Sequence, residues 1–162
     1  KNVEMDHILI SEDMAYKEHA MISPEMTREF VFPCYKSWIP EIRKSSPGVV
    51  IEMDCDGCIG GLIPLWIETG FNSNWPVEAA AGNDIVEYRR LYGTKMAYRG
   101  AIDKRVMAAG GEIMKKEMAR IVPALLKDGG FIPSCDHGIP SDVSWKNFTD
   151  YCGLLARYCG WL

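Results

Sequence analysis

The sequence predicts an α/β fold on a parallel sheet, arranged as part of a (βα)8 TIM barrel: strands with their helices, but fewer than eight units. Three observations carry this. Short apolar stretches alternate with helical ones five times along the 162 residues. No G-x-G-x-x-G turn follows any strand, and Gly57, Gly60 and Gly61 miss that spacing, which disfavours an open doubly wound sheet. Charged side chains follow every strand, where a barrel keeps its chemistry: Glu12 and Asp13, then Asp54 and Asp56, Glu78, Asp103 and Lys104, and finally Asp136 and His137.

The elements follow in order. His7-Ile8-Leu9-Ile10 reads as a strand. Ser23 caps a helix with Pro24 at its first position and Glu25 in its first turn; it runs to about Lys44, with Pro33 and Pro40 as breaks or kinks. Val49 to Met53 is a second strand, continuous in its apolar character. Ile59 to Thr69 is a helix closed by Gly70. Phe71 to Pro76 is the third strand, and Asp84 to Tyr92 a helix closed by Gly93. Lys95 to Arg99 is the fourth strand. A helical stretch from Asp103 to Lys127 is interrupted at Gly110-Gly111 and closed by Gly129-Gly130. Phe131-Ile132-Pro133 is the fifth strand, and Ser144 caps a last helix ending near Gly160. A full barrel takes roughly 200 residues or more, so residues 1–162 are expected to be one portion of a single barrel domain. The remainder is expected from the rest of the polypeptide or from a second chain.

Composition narrows the function. With 48% apolar and 25% charged residues and a net charge of −4, the chain offers no basic surface for nucleic acid. It has no apolar run of ~20 residues for a membrane span, and its polar start, Lys1-Asn2-Val3-Glu4, has no leader-like apolar region. Six cysteines in a chain of long helical patterns with nine methionines suit reduced thiols and a cytoplasmic enzyme better than a disulfide scaffold.

Several motifs are familiar. Glu12-Asp13-Met14-Ala15-Tyr16-Lys17 with Ile22-Ser23-Pro24-Glu25-Met26, Asp54-Cys55-Asp56-Gly57 (D-S-D-G), Pro76-Val77-Glu78 through Gly82 (P-L-E-x-x-A-G), Gly100 through Arg105 (G-G-I-D-K-R), and Gly129 through Pro133 with Asp136-His137-Gly138 through Val143 occur in order over nearly the whole chain. This set resembles the uroporphyrinogen decarboxylase superfamily. The resemblance implies that strands four to eight of its barrel are present and strands one to three are not. It also implies one of two chemistries. One is metal-free, cofactor-free decarboxylation of uroporphyrinogen III in porphyrin biosynthesis. The other is methyl transfer involving a corrinoid protein, assisted by zinc.

The candidate site residues follow from both lines. His137, Asp54 and Asp13 are candidate catalytic groups; the resemblance implies substrate contact for the His of the His-Gly turn. Glu12, Asp103, Lys104 and Asp136 are candidate substrate-binding groups. Asp54, Asp56, Glu78 and His137 are a tentative metal set. Aligned on Gly57, Asp54 and Asp56 replace the His and Cys of the H-x-C-G turn of thiol-methylating members, so a soft thiolate donor is missing there. Crowded carboxylates call for a metal or another cation, a role Lys104 and Arg105 can also fill. Cys55-x-x-Cys58 with Cys135-x-His137 has a Cys3His spacing, but neighbours on a strand point to opposite faces, so Cys55 is expected to face away from the mouth.

The expected function is metal-assisted transfer of a methyl group from a small methylated substrate, such as a methoxylated compound, to a corrinoid carried by a partner protein. Zinc would be the metal. The alternatives are a uroporphyrinogen III decarboxylase with no cofactor, and a fragment inactive without its N-terminal strands.

Overall fold

The structure, a computed structural model, describes residues 3–162. Five strands form one sheet: β1 (His7–Ser11), β2 (Val50–Asp54), β3 (Ser73–Trp75), β4 (Ala97–Ile102) and β5 (Phe131–Cys135). They lie in the order β1-β2-β3-β4-β5, and every neighbouring pair is parallel. The helices are α1 (Pro24–Met26), α2 (Phe32–Ser45), α3 (Ile63–Thr69), α4 (Ile85–Tyr92), α5 (Lys104–Ala109), α6 (Gly111–Leu126) and α7 (Trp145–Tyr158). Consecutive parallel strands joined through helices are consecutive units of a (βα)8 barrel.

The sheet's two faces differ. Ile51 and Met53 of β2, with Tyr98 of β4, are buried in the core shared with the helices, beside Trp66 of α3 and Phe32 and Tyr35 of α2. Burying each such side chain stabilises the fold by ~1.5–3 kcal/mol. The alternate positions line the opposite face, which is open. Leu9 is 45% exposed, Val50 36% and Ile132 63%. In a barrel this face is the interior, which strands beyond these five would close. Among the described residues no helix is long and apolar enough to cross a membrane.

The caps are those expected. The Ser23 hydroxyl accepts from the Met26 amide at 3.2 Å and the Ser144 hydroxyl from Asn147 at 3.1 Å, while Gly70 closes α3 at φ 102°. Several boundaries moved: the third strand shortens to Ser73–Trp75, the fifth extends to Cys135, and three other shifts have a clear cause. The first long helix is broken at Pro33: a π-helical turn (Thr27–Val31) precedes α2, which restarts with Pro33 in its first turn, where its missing N–H costs nothing. The helix expected from Ile59 begins at Ile63, with Pro64 again at its start. The fourth strand was expected to end at Arg99 but continues to Ile102 through Gly100 (φ 99°) and Ala101 (φ 67°). That bend is forced by close approach: the Ala101 amide donates to the Pro76 carbonyl at 2.9 Å, and a Cβ on Gly100 would lie 2.2 Å from the same oxygen.

Candidate active site

Four strand-to-helix turns bring four charged side chains into one string. His137, after β5, has its Nε2 3.2 Å from Oδ1 of Asp56, in the turn after β2. Its Nδ1 is 3.3 Å from Nζ of Lys104, at the start of α5 after β4. An ammonium only donates, so Nδ1 accepts and the imidazole proton sits on Nε2, donated to Asp56. Lys104 Nζ also stands 3.7 Å from Oε1 of Glu78, after β3, and the other Glu78 oxygen accepts from the Gly57 amide at 3.2 Å. The string Asp56–His137–Lys104–Glu78 places an imidazole and an ammonium between two carboxylates.

Asp136 and Asp103 build this geometry rather than face the mouth. Asp136 is fully buried, and its two oxygens accept from the Lys104 amide at 3.1 Å and the Ala79 amide at 3.2 Å. It staples the turns after β3 and β4 to β5. Burial pushes its carboxyl above the ordinary range, with the two amides pulling the other way. Asp103 caps α5 by accepting from the Arg105 amide at 2.8 Å and also binds the Arg105 guanidinium. Burial works to raise its carboxyl, but the Arg105 hydrogen bonds outweigh it and hold the group below the ordinary aspartate range.

The remaining candidates lie to one side. Asp54 accepts from the Ser11 hydroxyl at 3.0 Å. Burial pushes its carboxyl up; the Ser11 bond opposes this, and the charges of Asp56, Asp13 and Glu52 add to it. Glu12 sits beside Tyr35 and, with Asp13, lines a separate cavity of about 230 Å³ against Met21 and Ile22. No hydrogen bond ties Glu12 or Asp13 to His137 among the described residues.

The tentative zinc donors do not fit an ion in this arrangement. Among the described residues no group of three or more His, Cys, Asp or Glu side chains stands close enough to share a metal. His137 is bonded to Asp56 and Lys104, Glu78 to Gly57 and Lys104, and Asp54 to Ser11. The Cys3His spacing forms no site either: Cys55 is buried, its sulfur accepts from the Met14 amide at 3.3 Å, and burial pushes its thiol up to about 11.

The sequence reading passed over Glu52 and Arg99. Glu52 sat inside a strand read as apolar, and Arg99 at what was read as a strand's end. Arg99 donates to Glu52 at 2.5 Å through Nη2, and its guanidinium lies 4.7 Å from the centre of the Trp75 ring. The available signal was a charged residue of opposite sign in the middle of each of two barrel strands, on the same alternating face.

Comparison with known proteins agrees with the fold and these motifs. The Uroporphyrinogen decarboxylase (URO-D) family model matches residues 6–158. A uroporphyrinogen decarboxylase of Pseudomonas fluorescens is 29% identical over 112 residues, 63% of this chain and 30% of that protein. The enzyme of the same name from Vesicomyosocius okutanii is 26% identical over 93 residues, 56% of this chain and 25% of its own length. The chain thus spans under a third of these relatives. A methyltransferase from Methanosarcina mazei superposes with a TM-score of 0.62 at 16% identity, over 95% of this chain and 42% of its own; that likeness is one of fold. By its matched family model and by the motifs at its strand ends, the chain belongs to the uroporphyrinogen decarboxylase family.

Proposed function

We propose that the protein, completed by the rest of its barrel, moves a methyl group from a small methylated substrate, such as a methoxylated compound, to a corrinoid carried by a partner protein. The observation that carries this reading is His137 held between Asp56 and Lys104. A heteroatom that loses a methyl group gains negative charge and needs a proton. His137 gives its Nε2 proton to that atom, which displaces Asp56 as the acceptor. Lys104 hands a proton to Nδ1, so the ring stays neutral throughout, and the amine regains its proton from solvent. Glu78 steadies the ammonium before transfer. The corrinoid supplies the methyl acceptor when its protein is docked. No step passes through zinc, because its tentative donors are engaged with one another and with amides.

The names of the two curated relatives favour a second reading, decarboxylation of uroporphyrinogen III. The acidic edge formed by Asp13, Asp54 and Asp56 opposes so heavily carboxylated a substrate, which supports the first reading. Residues 1–162 hold five of the eight strands of such a barrel and on either reading are inactive by themselves. The six free thiols suit the cytoplasm.

The test is turnover by the full-length protein with a methoxylated compound and a corrinoid protein, read from the corrinoid absorption spectrum. Methylation of the corrinoid is expected. Activity on uroporphyrinogen III alone would establish the second reading instead.

A further inference from the structure

A cavity of about 440 Å³ is lined by both His137 and Arg99, with Trp75, Ile139 and Tyr151 among its walls. Its volume suits a small ligand. Arg99 is held there from one side only. Glu52, 3% exposed, accepts from Arg99 Nε at 3.1 Å and Nη2 at 2.5 Å, and also from the Ser73 hydroxyl at 3.1 Å, with His7 Nε2 at 3.6 Å. A carboxylate buried this far needs such partners. The guanidinium then lies over Trp75, and its Nη1 makes no hydrogen bond among the described residues, although the side chain is one-third exposed.

We propose that Arg99 positions the ligand of this cavity, and that the ligand is a small, flat, neutral molecule whose oxygen accepts the free Nη1 proton. The argument for neutrality is electrostatic. Glu52 cancels the charge of Arg99, so the pair offers a directed donor without net positive charge. Beyond its lining, the neighbouring strand ends carry Asp54, Asp56 and Glu78 against the cation Lys104, so an anion gains nothing on entry. A neutral oxygen acceptor leaves water at little cost and finds one fixed N–H beside aromatic walls. The inference rests on the methyl-transfer reading only for the fate of the ligand, not for how it is held.

The experiment measures binding to the full-length protein by tryptophan fluorescence at neutral pH, with 2-methoxyphenol as the neutral probe and 2-methoxybenzoate as the anionic one. The wild type is expected to prefer 2-methoxyphenol by about tenfold or more. R99K keeps a cation against Glu52 but removes the spare nitrogen, and should weaken 2-methoxyphenol by about tenfold. The double variant E52Q/R99M removes both charges together, leaves neither buried alone, and should weaken it likewise. Equal affinities, a preference for the benzoate, or unchanged affinity in folded R99K or E52Q/R99M would overturn the proposal. The readout needs no turnover. Retained preference without methyl transfer would sink only the proposed activity; methyl transfer without the preference would sink only this inference.

Discussion

His137 has a different neighbour on each ring nitrogen, the asymmetry on which its proposed role as a proton donor rests. Because it stands at a strand end and is partly exposed, His137→Ala should lower kcat of the full-length enzyme by about 10²–10⁴ while its thermal unfolding changes little. A large loss of melting temperature would show a structural role. Asp136 predicts the opposite pattern. Asp136→Asn replaces one accepting oxygen by an N–H that faces a backbone N–H donor, leaving that donor without an acceptor, and should cost about 1–3 kcal/mol in denaturant unfolding. Asp103 adds a pH dependence. Its folded carboxyl is held below the ordinary aspartate range, so the protein gains stability from it above the unfolded pKa and loses that stability as pH falls through the folded pKa. Asp103→Asn should therefore cost about 1–2 kcal/mol at neutral pH, with the deficit vanishing in acid. At this scale the sequence showed which residues reach the strand ends, since chemistry follows strands in a barrel. It did not show that Asp136 turns inward to bind two amides, because one residue's rotation past a strand end decides between mouth and core.

The elements carry those residues only where their ends meet in register. The contact that sets the β3–β4 junction is the Ala101 amide on the Pro76 carbonyl, packed against Gly100. Gly100→Ala places a Cβ against that oxygen and forces a positive φ on an alanine, so it should cost at least about 2 kcal/mol and displace Glu78 from Lys104. Unfolding measurements on the variant check the first effect and loss of turnover the second. Strand order, the N-caps at Ser23 and Ser144 and the break at Gly110 were legible, because apolar alternation and capping side chains are local signals. The last three residues of β4 were not: Gly100 and Ala101 have positive φ values that look local but are imposed by Pro76, more than twenty positions away in sequence.

The five units leave an inner sheet face on which Leu9, Val50 and Ile132 are exposed around the Glu52–Arg99 pair. Such a face, with an edge strand on either side, favours association. Residues 1–162 produced alone should therefore sediment as oligomers at micromolar concentration, and co-expression with the rest of the polypeptide should abolish this; a stable monomer of the segment would show that the face tolerates water. On the proposed function, completing the barrel would enclose the string from Asp56 to Glu78 and exclude water from it. A single turnover with a substrate carrying a radiolabelled methyl group, mixed with the full-length protein and a corrinoid protein, tests this most directly. The account predicts that the label moves to the corrinoid protein in the wild type and stays on the substrate in His137→Ala. Label left on the substrate by the wild type, together with carbon dioxide released from uroporphyrinogen III, would contradict it.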